Sequence, residues 1–258
     1  MQWKTIFMKE LLEDWRSYKW IWVPLVFILF CIMDPLSTYY LPQIIQAVGG
    51  LPDGAVIDIP ETEPEMAIMM SLTQMSMLGV LVVITITMGV IAGERKSGVA
   101  ELILVKPVRY VTYILAKWSA KLLLVFVSYL VGMLASWYYV NLLFGEITII
   151  EFFSLFLFYF VWLIFVVTLT VFYNTMMKVP GLVLTSTVIT IMAMSVLNQI
   201  FSFRLPWLPN SISEHITTML TEGSIPNELW MASAITLGLS LILLLFSRYI
   251  FQTKEMAE

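Results

Sequence analysis

Side chains able to make or break bonds are scarce in this chain. It has one histidine, His215, and one cysteine, Cys31, which leaves no His-rich metal site, no histidine-dependent triad and no internal disulfide. No G-x-x-x-x-G-K-[ST] run supplies the glycine loop and lysine that cradle nucleotide phosphates. What the sequence offers instead is charge at defined spacing between residues 93 and 118. Glu94, Arg95 and Lys96 come first, then Gly98, Glu101-Leu102-Ile103-Leu104, Pro107, Arg109 and Lys117. Val99, Leu102 and Ile103 recur at i, i+3, i+4, which predicts a short helix with one apolar stripe, flanked by Glu94, Arg95, Lys96 and Glu101 in solvent. Pro107 ends that helix by withholding a backbone N–H. Such a helix has nothing of its own chain to bury against, so it suits docking into a partner with an apolar cleft and a charged rim. The plainer reading is a basic loop that fixes topology or meets anionic lipid.

The elements that must position this loop follow from composition. With 60% hydrophobic and 12% charged residues and a mean hydropathy of +0.89, the chain belongs in a bilayer rather than in water. Apolar runs close to the ~20 residues that cross a ~30 Å hydrocarbon core lie at 20–43, 66–92, 115–143, 151–174, 179–201 and 229–251. The predicted fold is therefore all-α, a single polytopic domain over 1–258 with six transmembrane helices. Placing both termini on the inner side puts Lys4, Lys9, Arg16, Lys19, Arg95, Lys96, Lys106, Arg109, Lys117, Lys121, Lys178, Arg248 and Lys254 inside and leaves only Arg204 outside. The positive-inside rule selects that topology. Lys178-Val179-Pro180-Gly181 breaks the chain between the fourth and fifth spans, and Lys117 and Lys121 restart it at the membrane surface.

Residues 3–19 read as an amphipathic helix in the inner interface rather than a signal peptide. Phe7, Met8, Leu11, Leu12, Trp15 and Tyr18 keep helical spacing while Lys9, Glu10, Glu13 and Arg16 point elsewhere. Trp20 and Trp22 fit the headgroup level. Asp34 is the one carboxylate well inside a span, ~21 Å along the helix from Trp20 at ~1.5 Å per residue. Two readings stand for it. It caps a new helical segment ahead of Pro35, or it contacts a transported species in the membrane. No other span carries a core carboxylate, which argues against proton coupling. Cys31 reads as a buried thiol and His215 as a loop-packing residue.

The 93–118 segment, with Asp34-Pro35 and Tyr40-Leu41-Pro42 late in the first span, resembles the ABC-2 type permeases, the membrane subunits of ATP-driven ABC exporters. The six-span layout with an N-terminal elbow extends the likeness over nearly the whole chain. The resemblance implies a non-catalytic subunit of the bacterial plasma membrane, without a cofactor of its own, whose ATP is bound and hydrolysed by a separate cytoplasmic ABC ATPase. A second permease, identical or homologous, would complete the path; membrane lipid is the other partner, and nucleic acid is not one. Residues 3–19, including Phe7, Leu11 and Trp15, would be the elbow helix. Glu94, Arg95, Gly98, Glu101, Leu102, Ile103, Pro107 and Arg109 would couple to the ATPase. The segment 202–228, punctuated by Pro206, Trp207, Pro209 and Pro226, would be a re-entrant element before the last helix. An ATP-independent carrier or a membrane assembly factor is the alternative.

Overall fold

The structure, a computed structural model, describes residues 2–47, 62–99, 109–201 and 205–255. Every regular element among them is helical. In chain order these are α1 (Gln2–Arg16), α2 (Lys19–Ala47), α3 (Pro64–Gln74), a π-helical segment (Met75–Gly79), α4 (Val80–Thr87), α5 (Ala92–Lys96), α6 (Tyr110–Leu143), α7 (Ile149–Met176), α8 (Pro180–Phe201), a short 3-10 turn (Pro209–Ser211), α9 (Ile212–Glu222) and α10 (Asn227–Glu255). Six stretches are long and apolar enough to cross a membrane: Lys19–Ile45, Pro64–Lys96, Tyr110–Leu143, Ile149–Met176, Pro180–Phe201 and Asn227–Thr253. Helices are the form such runs must take, because a bilayer leaves no water to satisfy a backbone N–H or C=O.

The spans differ in how much of themselves they bury. α7 is central, packed against α6, α10, α4, α8 and α9. It starts on a capping box in which Glu151 N donates to Thr148 Oγ1 at 3.3 Å and Thr148 N donates to Glu151 Oε2 at 2.9 Å. Its aromatic rings carry the contact with α6: Tyr129 stacks on Phe156 at 4.8 Å, and Phe126 meets Phe160 edge-on at 5.1 Å. α8 is the opposite case, burying only Val183 and Thr187. Leu184, Val188, Ile191 and Met194 pack partly against the core, while Leu182, Ile189, Met192 and Ile200 are exposed.

α2 passes through Pro24, Pro35 and Pro42 without interruption. Pro35 has no N–H to return to the Cys31 carbonyl one turn earlier. Ser71 of α3 replaces that donor, with its Oγ 2.5 Å from the Cys31 oxygen, and Ser136 of α6 lies 2.7 Å from the same Oγ. Because the Ser71 proton is committed to the carbonyl, Ser136 must donate to Ser71. A three-helix node results, and it corrects the reading of Asp34 as a helix cap. Asp34 lies inside a continuous helix and accepts from Gln74 Nε2 at 3.1 Å, one turn along the same α2–α3 seam. Where α2 crosses α6 the backbones come close: a Cβ on Gly132 would sit 3.0 Å from the backbone of Phe27, the approach that small residues permit between membrane helices.

Candidate functional site

One end of the bundle collects the buried charged side chains, Glu10, Asp14, Arg95, Lys117 and Lys121. α1 meets α2 at a turn through Ser17 and Tyr18, and Tyr18 has φ +56°, the left-handed region a non-glycine residue seldom adopts. That turn lays α1 across α6. Its apolar side faces out, with Met8 51% and Trp15 63% exposed, whereas Glu10 and Asp14 are 2% and 0% exposed. These two carboxylates, four residues apart, meet two lysines four residues apart on α6. Lys117 Nζ lies 2.6 Å from Glu10 Oε1, and Lys121 Nζ lies 2.5 and 2.7 Å from the Asp14 oxygens. Lys19 reaches Asp14 at 2.9 Å from the exposed side. Lys117 and Lys121 are therefore buried partners of α1, not surface residues restarting the chain.

Glu94 joins the second span to this lattice. Its carboxylate meets Lys117 at 2.9 Å, Tyr113 Oη at 2.5 Å, and Lys9. The carboxylates of Glu10, Glu13 and Glu94 converge within 4.8 Å of one another, and the Lys9 ammonium contacts all three. A lysine ammonium thus occupies the place of a cation among these carboxylates. Burial acts against the Lys9 charge, but the hydrogen bond it donates to Glu94 and the neighbouring carboxylates outweigh it and hold the ammonium above its ordinary value. A raised lysine contributes its full stabilisation below about 10.5 and loses it only as pH rises past the raised value, so this contact persists across physiological pH.

Arg95 also turns inward, contrary to the solvated position expected for it and for Glu94. Its Nη1 donates to Thr175 O at 3.3 Å and its guanidinium lies 5.5 Å from the Phe251 ring. Phe251 stacks in turn on Tyr113 at 5.8 Å. The second span, α6, α7 and α10 are thereby gripped at one level. Lys96 remains exposed. Gly98, with φ +74°, takes the chain out of the helix in a conformation that favours glycine, and Arg109 re-enters as the exposed residue preceding α6. Glu101, Leu102, Ile103 and Pro107 lie outside the described residues. Phe7 stacks on Trp3 at 4.8 Å and Leu11 is half-buried. This end thus offers a mechanical joint: a charged lattice tying α1, α5 and α6 behind an exit point for the basic loop.

A family model described as "ABC-2 family transporter protein" matches residues 4–256. The chain belongs to that family. The ABC-2 family protein is also 30% identical, over 251 residues and 97% of each chain, to a Bacillus subtilis (strain 168) relative described as "Uncharacterized transmembrane protein YxlG". Members of the family are typically non-catalytic membrane subunits.

Within this ABC-2 family protein, Asn174 is a residue the sequence reading passed over. α4 ends at Thr87 and α5 starts at Ala92, so the second span is broken between them, where a continuous helix was expected over 66–92. Asn174 of α7 bridges the break: its Oδ1 accepts from Ile91 N at 3.2 Å and Ala92 N at 3.0 Å, while its Nδ2 donates to Thr87 O at 3.1 Å and Thr170 O at 2.9 Å. An amide at the end of an otherwise apolar run was the available signal. At the opposite end, α9 buries Ile212, Ile216, Met219 and Leu220 against α7, α10 and α3. His215 Nε2 pairs with the Pro206 carbonyl at 2.7 Å, fastening the approach to α9; residues 202–204 lie outside the described set.

Proposed function

We propose that this protein is the permease subunit of an ATP-driven exporter in the plasma membrane of a bacterium, working as one of two permeases on two separate ATPase subunits. The observation that carries the reading is the position of Glu94. It ends the second span, touches Lys9 of α1 and Lys117 of α6, and stands four residues before Gly98, where the basic loop departs. A partner that grips the loop therefore pulls on three helices at once, as transmission of a rigid-body movement requires. The basic end faces the cytoplasm, because nearly all Lys and Arg gather there and the positive-inside rule orients such chains. α1 lies in the interface as the elbow, and α9 with its approach forms the re-entrant element. α8, with its outward apolar surface, meets lipid and the second permease.

Leu102 is the anchor expected to sit in the ATPase cleft, with Ile103 beside it and Glu101 and Arg109 on the rim. Rim charges govern docking specificity more than affinity, whereas truncating a buried anchor costs about 1 kcal/mol or more of association. The test is Leu102→Asp in cells that co-express the ATPase of the same transport system. The variant should insert and be purified normally, yet lose co-purification of the ATPase and its stimulation. Wild-type ATPase retention and transport by Leu102→Asp would make the loop a topological anchor and remove the reading.

A further inference from the structure

A cavity of about 690 Å³ lies between the second span, α7, α8 and the start of α9, within the 300–1,000 Å³ range of small-molecule sites. Three features give it a chemistry. No Asp, Glu, Lys, Arg or His is among the described residues that line it, so a charged group entering it would lose its hydration with no counter-charge. Its mouth is apolar and flexible: Met77 is 65% and Met192 62% exposed, which opens the space sideways toward lipid between the second span and α8, with unbranched thioether side chains that adapt to irregular shapes. Its wall near α9 holds Asn210, whose Oδ1 is buried and has no hydrogen-bond partner in the structure, with Ser213 and Ser195 also lining the space. An orphaned buried acceptor calls for a donor. Ser76, Met77 and Leu78 reach the cavity from the π-helical segment, a rare helical form that recurs at functional sites.

We propose that this cavity, within a single copy of the chain, binds an uncharged amphiphile that enters from the membrane, its apolar body against Met77, Met192 and Trp162 and its hydroxyl or amide head at the polar wall of Ser195, Ser213 and Asn210, where a turn of the Asn210 side chain would bring its unpaired oxygen to the donor. The proposal rests on the permease reading in that such a molecule would be the cargo, although the binding itself needs no ATPase. The probe is a monoacylglycerol carrying a diazirine in its acyl chain, photolysed with the full-length protein in lipid nanodiscs and mapped by mass spectrometry. Analogues bearing a trimethylammonium or a carboxylate head on the same chain serve as comparisons. Expected are saturable labels on the segments carrying Met77 and Met192, displaced by unlabelled monoacylglycerol, and at least about tenfold weaker saturable labelling with either charged head. Asn210→Leu should lower the apparent affinity several-fold, and Ser195→Trp should abolish the label by filling the cavity. Met192→Trp repeats the block from the mouth, and each variant's melting temperature shows that the bundle is intact. Labelling that does not saturate and spreads equally to exposed apolar residues away from the cavity, such as Leu25 and Leu29, would overturn the proposal. So would equal labelling by charged heads, or a label unchanged by both blocking variants. If labelling fails while Leu102→Asp still releases the ATPase, the cavity falls and the permease reading stands; saturable labelling without ATPase association gives the reverse.

Discussion

Asp14→Asn isolates what holds α1 to the bundle. The substitution keeps the volume and removes one charge, leaving Lys121 with a side chain 3% exposed and without the carboxylate that met it at 2.5 and 2.7 Å. Breaking a buried pair from one side typically costs about 3–5 kcal/mol, most of it from the uncompensated charge left behind. Lys19 loses the same partner but is a quarter exposed and turns to water at little cost. At 1.4 kcal/mol per decade the loss corresponds to roughly 10² to 10³·⁵ in the opening equilibrium of α1. Amide hydrogen exchange of residues 2–16, followed by mass spectrometry, reads this directly, because local opening sets the protection of a peripheral helix. Protection should fall across α1 while that of α7 is unchanged. The paired change Asp14→Leu with Lys121→Met should restore most of it, since apolar replacement of a whole buried pair is often neutral. Unchanged α1 exchange in Asp14→Asn, or a paired variant as open as the single one, would refute the claim that the ion pairs fasten α1.

Three further outcomes follow from the packing. Gly132→Ala should destabilise the bundle by about 1–3 kcal/mol, the usual cost of overpacking, because the new methyl meets Phe27 backbone rather than a movable side chain; a melting temperature equal to wild type would contradict the close α2–α6 approach. Ser71→Ala orphans the Cys31 carbonyl opposite Pro35 and should cost about 1–2 kcal/mol, between the ~0.6 average for membrane hydrogen bonds and the penalty of a bare buried carbonyl; adding Pro35→Ala, which returns the missing N–H, should recover part of the lost thermal stability, and no recovery would break the link between the two residues. Asn174→Leu leaves the N–H groups of Ile91 and Ala92 without their acceptor, at about 1–3 kcal/mol each, and should expose residues 88–92 to rapid hydrogen exchange while the start of α3 stays protected.

The six spans were legible because run length and apolarity alone decide what crosses a hydrocarbon layer, and the structure places all six close to the expected bounds. Interior polar contacts were legible only in part. Glu10 looked solvated because an amphipathic helix normally turns its carboxylates to water, and Asp14 did not stand out beside it. The counter-signal was present: each partner lies 107 residues downstream, so the i, i+4 spacing of the acids repeats in the lysines, but only the fold shows the two pairs facing each other. Asp34-Pro35 misled for a different reason. Proline ends a helix in water because the freed carbonyl is solvated at no cost. Inside a bundle a neighbouring hydroxyl can satisfy that carbonyl instead, and Ser71 does so. The break after Thr87 left even less trace, since Met88–Ile91 keeps the apolar character of a span and its stabilising amide comes from α7.

These contacts divide the second span into held and free portions. Ser71 fixes its start to α2 and α6, Asn174 fixes the joint near Ile91 to α7, and Glu94 and Arg95 fix its last turn to α1, α6 and α10. Between Ser71 and the joint lie the π-helical segment and α4, whose Met77, Leu78 and Leu81 face the cavity rather than a packed neighbour. A π turn is wider than an α turn and rises less per residue, so converting Met75–Gly79 to α-helix would rotate and displace the part of the span beyond it without breaking the span. Under the proposed function, a pull applied at the basic loop cannot be absorbed at the joint, where three hydrogen bonds to Asn174 hold both sides. The stretch able to yield is the one that lines the cavity, so movement at the ATPase side would change the shape of the very space in which an uncharged amphiphile would sit.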